Sequence, residues 1–128
     1  LFALNYDGRI CNDPADPMDE RLRELVNRHQ CTDKGFGPAL GPASATAVEQ
    51  LFSGLGYSLQ LQPSDWHIGA RQASLQKMLV HGWLDAAVEM APEEARQLQS
   101  WGRRRGEQIE NTGLQISVGH VDVAGWLT

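Results

Sequence analysis

Leu114-Gln115-Ile116-Ser117-Val118-Gly119-His120-Val121-Asp122-Val123 alternates apolar and polar residues with period two. That period sets successive side chains on opposite faces, so the run reads as a strand with Leu114, Ile116, Val118 and His120 sharing one face. Gly119 interrupts the alternation and marks a bulge or a close approach of another backbone. Upstream, Asn111-Thr112-Gly113 stops a helix that starts at Pro92 and runs through Leu98 and Trp101 to about Ile109. Glu93 and Glu94 suit the positive end of its dipole. Before it, Gln72 to Glu89 repeats apolar residues at three and four (Leu75, Met78, Leu79, Trp83, Ala86, Ala87, then Met90) and reads as another helix.

Tyr57-Ser58-Leu59-Gln60-Leu61-Gln62 alternates as strictly as the last strand, and Pro63 to Ile68 extends or closes it. A helix from about Ala43 to Leu55 precedes it, with Val48, Leu51, Phe52 and Leu55 as the buried stripe and Gly54 and Gly56 as stop signals. Met18 to His29 reads as a helix that buries Leu22, Leu25 and Val26, with Asp16 as N-cap and Pro17 at its first position. Asn12 to Pro17 is a loop. Leu1 to Tyr6 is nearly all apolar, which fits a strand covered on both faces, as in a parallel sheet. It ends at a turn signal, Asp7-Gly8-Arg9. The order is β-α-α-β-α-α-β, an α/β chain of about three strands and four helices in one domain, residues 1–128.

The 128 residues suffice for one modest core. A net charge of −5 argues against a nucleic-acid surface, which needs excess Lys and Arg. Arg103-Arg104-Arg105 is the only basic run and reads as a solvated helix face. Two cysteines make no disulfide framework, so a reduced, cytoplasmic setting is expected. No apolar stretch approaches the ~20 residues of a membrane helix. The chain opens inside an apolar run without methionine, cap or turn, as a piece of a longer protein would.

The densest polar and glycine-rich run is Asn27 to Pro38: Asn27-Arg28-His29-Gln30-Cys31-Thr32-Asp33-Lys34-Gly35-Phe36-Gly37-Pro38. Loops of this composition carry function or make long connections. Here the loop lies between a strand's exit and a helix, where α/β proteins place ligands. Candidate substrate-binding residues are therefore Tyr6, Asp7 and Arg9 at the strand's end, Asn27, His29, Gln30, Asp33, Lys34 and Phe36 in the loop, and Trp66. The indole of Trp66 beside Asp65 and His67 can wall a pocket. Trp83 and Trp101 fall on apolar helix positions and read as core.

Other chemistries fit poorly. Cys11, His29 and Cys31 have no recognised metal-ligand spacing. Ser64, Asp65 and His67, or His120 and Asp122, supply triad residue types without a nucleophile elbow. Gly35, Gly37 and Gly41 miss the dinucleotide fingerprint because the third glycine comes one position late.

The strand ending in Asp7-Gly8-Arg9, Asn27-Arg28-His29-Gln30 with Asp33-Lys34-Gly35-Phe36-Gly37, Ser64-Asp65-Trp66, Gly82-Trp83 and Val118-Gly119-His120-Val121-Asp122 together resemble the C-terminal half of a bacterial class I S-adenosylmethionine-dependent methyltransferase. The resemblance implies part of a Rossmann-like sheet in which the seventh strand lies antiparallel between the fifth and sixth. Leu1–Tyr6 would be the fifth strand, Tyr57–Gln62 the sixth and Leu114–Val123 the seventh. The helices between the last two would be an insertion. The family's cofactor site lies in its first four strands. S-adenosyl-L-methionine thus belongs to the full-length enzyme, and none is expected on this chain. The implied partners are the cofactor-binding half and a small-molecule substrate, with neither nucleic acid nor membrane. In such an enzyme His29, Asp33 or Tyr6 would orient or deprotonate the substrate. The alternative is a non-catalytic binding or dimerisation module that pairs with a second copy through an unpaired sheet edge.

Overall fold

The last strand holds the sheet together. In the computed structural model, which describes residues 1–127, β4 (Gln115–Leu127) pairs antiparallel with β1 (Phe2–Asp13) along one side. Along its other side it pairs antiparallel with β2 (Tyr57–Pro63) and with the short β3 (Trp66–Ile68). The order is β1-β4-β2, so β1 and β2 point the same way on either side of a reversed strand. Four helices accompany them: α1 (Asp19–Gln30), α2 (Ser44–Gly54), α3 (Ala73–Met90) and α4 (Ala95–Glu110). The chain is a mixed α/β protein with a four-stranded antiparallel sheet.

The two faces of β4 bury different partners, as its alternation requires. Ile116 and Val118 join Ile10 and Ile68 in one cluster with Leu22, Leu25 and Val26 of α1, Val80 and Ala87 of α3, and Leu98, Trp101 and Ile109 of α4. Val123 lies on the opposite face, where α2 brings Val48 and Phe52 over Phe2, Tyr57 and Leu59. There Phe52 packs edge-on against Phe2 at 5.6 Å and Tyr57 at 5.1 Å.

Apart from the α2 stripe, of which Leu51 and Leu55 are exposed, and the N-cap of α1, which falls on Met18 and not on Asp16, three sequence expectations give way. The first strand does not stop at Tyr6. It runs on to Asp13, and Asp7-Gly8-Arg9 forms a bulge instead of a turn. Tyr6 faces His120 and Ile10 faces Val118, so three residues of β1 stand opposite Gly119 alone. Gly8 takes φ +94, and a Cβ on Gly119 would collide with the Asp7 carboxylate and sit 2.9 Å from the Arg9 Cβ. The turn signal is thus absorbed inside the strand, because neither backbone carries a side chain at the crossing. Nor is the first strand covered on both faces as in a parallel sheet: Leu1, Phe2 and Leu4 are exposed, and its only ladder among the described residues is antiparallel. The third expectation concerns strand number. The segment after Pro63 leaves β2 and re-pairs with β4 as β3, giving four strands where about three were expected.

The basic run also divides. Arg103 and Arg104 lie on the outside of α4, but Arg105 is fully buried. It continues the stripe Leu98, Trp101, Ile109 at helical spacing. Its guanidinium donates to both oxygens of Asp19 at 2.7 Å, to the Pro14 carbonyl at 2.6 Å and to Gln108. The Trp101 indole N–H donates to the same Asp19 at 2.8 Å. Asp19 in turn accepts the Asp16 N–H at 2.8 Å, while Asp16 accepts the Met18 N–H at 2.9 Å. The start of α1 is therefore clamped to α4 by charge-assisted bonds. Asp16 accepts two further bonds from Arg104, which hold its carboxyl below the usual range.

Adding a methyl at Gly119 is expected to destabilise the chain by about 1–3 kcal/mol, since the bulge must shift. Gly106→Ala in α4 meets nothing within 4 Å and should be neutral or stabilising by up to about 1 kcal/mol. Urea denaturation of both variants checks the contrast. A depressed carboxyl contributes stability that is present above its unfolded value, ~4, and is lost as pH falls through the lower folded value. Asp16→Asn should therefore flatten the acid limb of the stability curve below about pH 4, as read by denaturant midpoints in a pH series.

Candidate functional site

The β1 bulge gathers polar groups from three segments. Asp7 accepts the Arg9 backbone N–H at 3.0 Å and its Nε at 2.9 Å. The same guanidinium reaches over to Asp65, in the link between β2 and β3, at 2.9 and 3.2 Å. Asp65 also accepts the His120 backbone N–H at 3.1 Å. That bond, followed by Arg9, holds the Asp65 carboxyl below its ordinary range. Arg9 thus ties the middle of β1 to the β2–β3 link above Gly119, just past the end of β2.

Beside this clamp lies an aromatic stack. The His120 ring is buried between Trp66, 4.7 Å away by ring centroid, and Tyr6 at 6.4 Å. His120 Nδ1 lies 3.1 Å from the Val118 carbonyl, an acceptor only, so Nδ1 carries the hydrogen. Nε2 makes no hydrogen bond among the described residues. Ser64 donates to Asp122 at 2.8 Å, but no nucleophile–imidazole bond joins Ser64 to His120. The Leu4 N–H and Ser64 hydroxyl hold the Asp122 carboxyl low.

Asn27, on the last turn of α1, connects the bulge to a second feature. Its Oδ1 accepts the Tyr6 hydroxyl at 2.6 Å, and its Nδ2 donates to the Gly8 carbonyl at 3.1 Å. Burial pushes the Tyr6 phenol up to about 12, so it is a donor at neutral pH and no base. On its other side Asn27 lines a groove of about 620 Å³ with Arg28, Cys31, Leu40, Pro42, Ala43 and Met90.

The loop after α1 has internal work. Asp33 Oδ1 accepts the N–H groups of Gly35 at 2.7 Å and Gly37 at 3.0 Å, both glycines at positive φ. The Thr32 hydroxyl and Lys34 Nζ donate to the His29 carbonyl at 2.7 and 3.0 Å, closing the C-terminal end of α1. His29 Nε2 lies 3.0 Å from Glu89 of α3. Phe36 stands wholly in solvent at the tip, and Gln30 is exposed.

Of the sequence-derived residues, Tyr6, Asp7, Arg9 and Trp66 meet at the bulge, and Asn27 joins them. His29, Gln30, Asp33, Lys34 and Phe36 make no hydrogen bond to it. Asp65 and His120 were missed as site residues, although Asp65 adjoins Trp66 and His120 shares the run with Gly119. Leu40, Pro42 and Met90 gave no signal: apolar residues far apart in sequence look like core or surface until they line one groove. Among the described residues no group of three His, Cys, Asp or Glu side chains could hold a metal, and both cysteines are free. No described helix is long and apolar enough to cross a membrane. No protein-family model, curated protein or solved structure matches the chain.

The chain has two tyrosines, so Tyr57→Phe leaves Tyr6 alone to report. Its phenol should titrate near 12 by ultraviolet absorbance. A midpoint near that of a free phenol, about 10, in the still-folded protein would contradict the buried placement.

Proposed function

We propose that this chain is the C-terminal, substrate-side part of an S-adenosylmethionine-dependent methyltransferase acting on a small molecule. One observation carries the reading: two strands of like direction, β1 and β2, flank a reversed β4 in the order β1-β4-β2. That is the arrangement expected of the fifth, seventh and sixth strands of the Rossmann-like methyltransferase sheet. Helices on both faces of the sheet support it, with α2 on one and α1, α3 and α4 on the other. So does the position of the polar bulge beside the carboxyl end of β2, where open α/β sheets take ligands, although it falls in the middle of β1.

On this reading the cofactor belongs to preceding strands that pair with the outer edge of β1. This chain's share of the reaction is alignment of the acceptor with the sulfonium methyl, which is most of what methyl transfer requires. The full-length enzyme works in the bacterial cytoplasm. The exposed Leu1, Phe2 and Leu4 beside that same edge favour the second reading, a module that dimerises edge to edge.

The test is to translate the gene's whole reading frame. The longer product should bind S-adenosylmethionine in calorimetry, and the 128-residue chain should not. A reading frame that begins at Leu1, or a longer product with no binding heat, overturns the methyltransferase reading. With the former, a dimer in light scattering selects the module. Saturable binding of the cofactor by the 128-residue chain overturns the assignment of its site to the preceding strands.

A further inference from the structure

We infer that the groove between the end of α1, the 31–43 connection and the end of α3 binds a small organic monocarboxylate with an apolar body. The inference rests on the substrate-side reading and names its substrate class, but the binding itself requires no methyl donor. The walls are the side chains of Leu40, Pro42, Ala43 and Met90, and the volume of about 620 Å³ lies within the range of small-molecule sites. Leu40 is 56% exposed, a large apolar residue left open inside the concavity. A thioether wall such as Met90 adapts to ligand shape.

The groove also has a charged end. Arg9, Arg21, Arg23, Arg104 and Arg105 each pair with a carboxylate. Arg28 lines the groove and makes no hydrogen bond or ion pair among the described residues. Its planar fork matches a carboxylate in bidentate fashion. The nearby acids are engaged elsewhere: Glu24 and Glu94 are bonded to Arg21, and Glu89 faces His29. A single free guanidinium matches one carboxylate charge in bidentate fashion and leaves the second charge of a phosphate unanswered, which favours carboxylate. At the inner end, Asn27 Nδ2 gives one hydrogen to the Gly8 carbonyl and keeps its second. Pro42 touches Gly8: a Cβ there would lie 3.2 Å from the Pro42 Cβ and from Asn27 Nδ2. A ligand anchored on Arg28 therefore extends its body toward the bulge that carries Tyr6, Asp7 and Arg9.

The probe is 1-naphthoate, titrated into the 15N-labelled chain and followed by amide and side-chain NMR. Saturable shifts are expected at the Asn27 side-chain amide, Leu40, Ala43 and Met90. Arg28→Gln, at an exposed position, should weaken naphthoate about tenfold, the effect of losing a charge-assisted pair. The same change should leave the affinity of neutral 1-naphthamide unaltered. Absence of saturable shifts, equal naphthoate affinity in the Arg28→Gln protein, or shifts confined to the Phe2–Phe52–Tyr57 cavity overturns the proposal. Tighter binding of 1-naphthyl phosphate than of naphthoate overturns the choice of carboxylate. Because no cofactor enters these titrations, they fail or succeed independently of whether the longer product binds S-adenosylmethionine.

Discussion

The absent side chain at Gly119 is the constraint on which the rest depends. It lets β1 place three residues opposite one without breaking the ladder on either side. Asp7 folds over the vacancy, Arg9 swings toward Asp65, and the β2–β3 link is drawn onto β4. Tyr6 is carried toward Asn27 and the His120 ring. A side chain at that position would force β1 off β4 where β4 already has to hold β2 and β3 on its other edge.

A second constraint fixes the helices against this sheet. Arg105 enters the core with its charge answered by Asp19, and its Nη1 donates to Pro14 and Gln108, while its buried Nε has no partner among the described residues. A buried cation is tolerated only when paired and hydrogen-bonded, and removal of one partner of such a pair costs about 3–5 kcal/mol. The network joins the loop after β1, the start of α1 and the middle of α4. Since α1 ends in Asn27 and Arg28, the same contacts set the position of the groove relative to the bulge.

Local chemistry explains why the loop from Asn27 to Pro38 is so polar. Its Asp, Thr and Lys side chains close a helix end and stabilise a glycine turn, tasks set by unsatisfied backbone groups. A polar, glycine-rich composition is common to a binding loop and to a self-bonded one, so composition alone does not separate them. What distinguishes Asn27 is its reach: both ends of its amide contact β1, nineteen and more residues away.

The sequence by itself determined the mixed α/β class, three helices to within a residue of their ends and a fourth begun three residues early at Pro92, the last strand up to Val123 though not on to Leu127, and the close approach at Gly119. Each rests on short-range periodicity or on residues with one conformational use. It could not separate a turn from a bulge at Asp7-Gly8-Arg9, because both need the same backbone freedom and only the partner strand decides. Nor did it show Arg105 as buried, although the spacing from Leu98, Trp101 and Ile109 carried the hint: charge suggests solvent until an acid from another helix is in place. The meeting of Asp65, Trp66 and His120 with Tyr6, and of Arg28 with Leu40 and Met90, belongs to the tertiary structure alone. Those contacts span tens of residues, and no local preference encodes them.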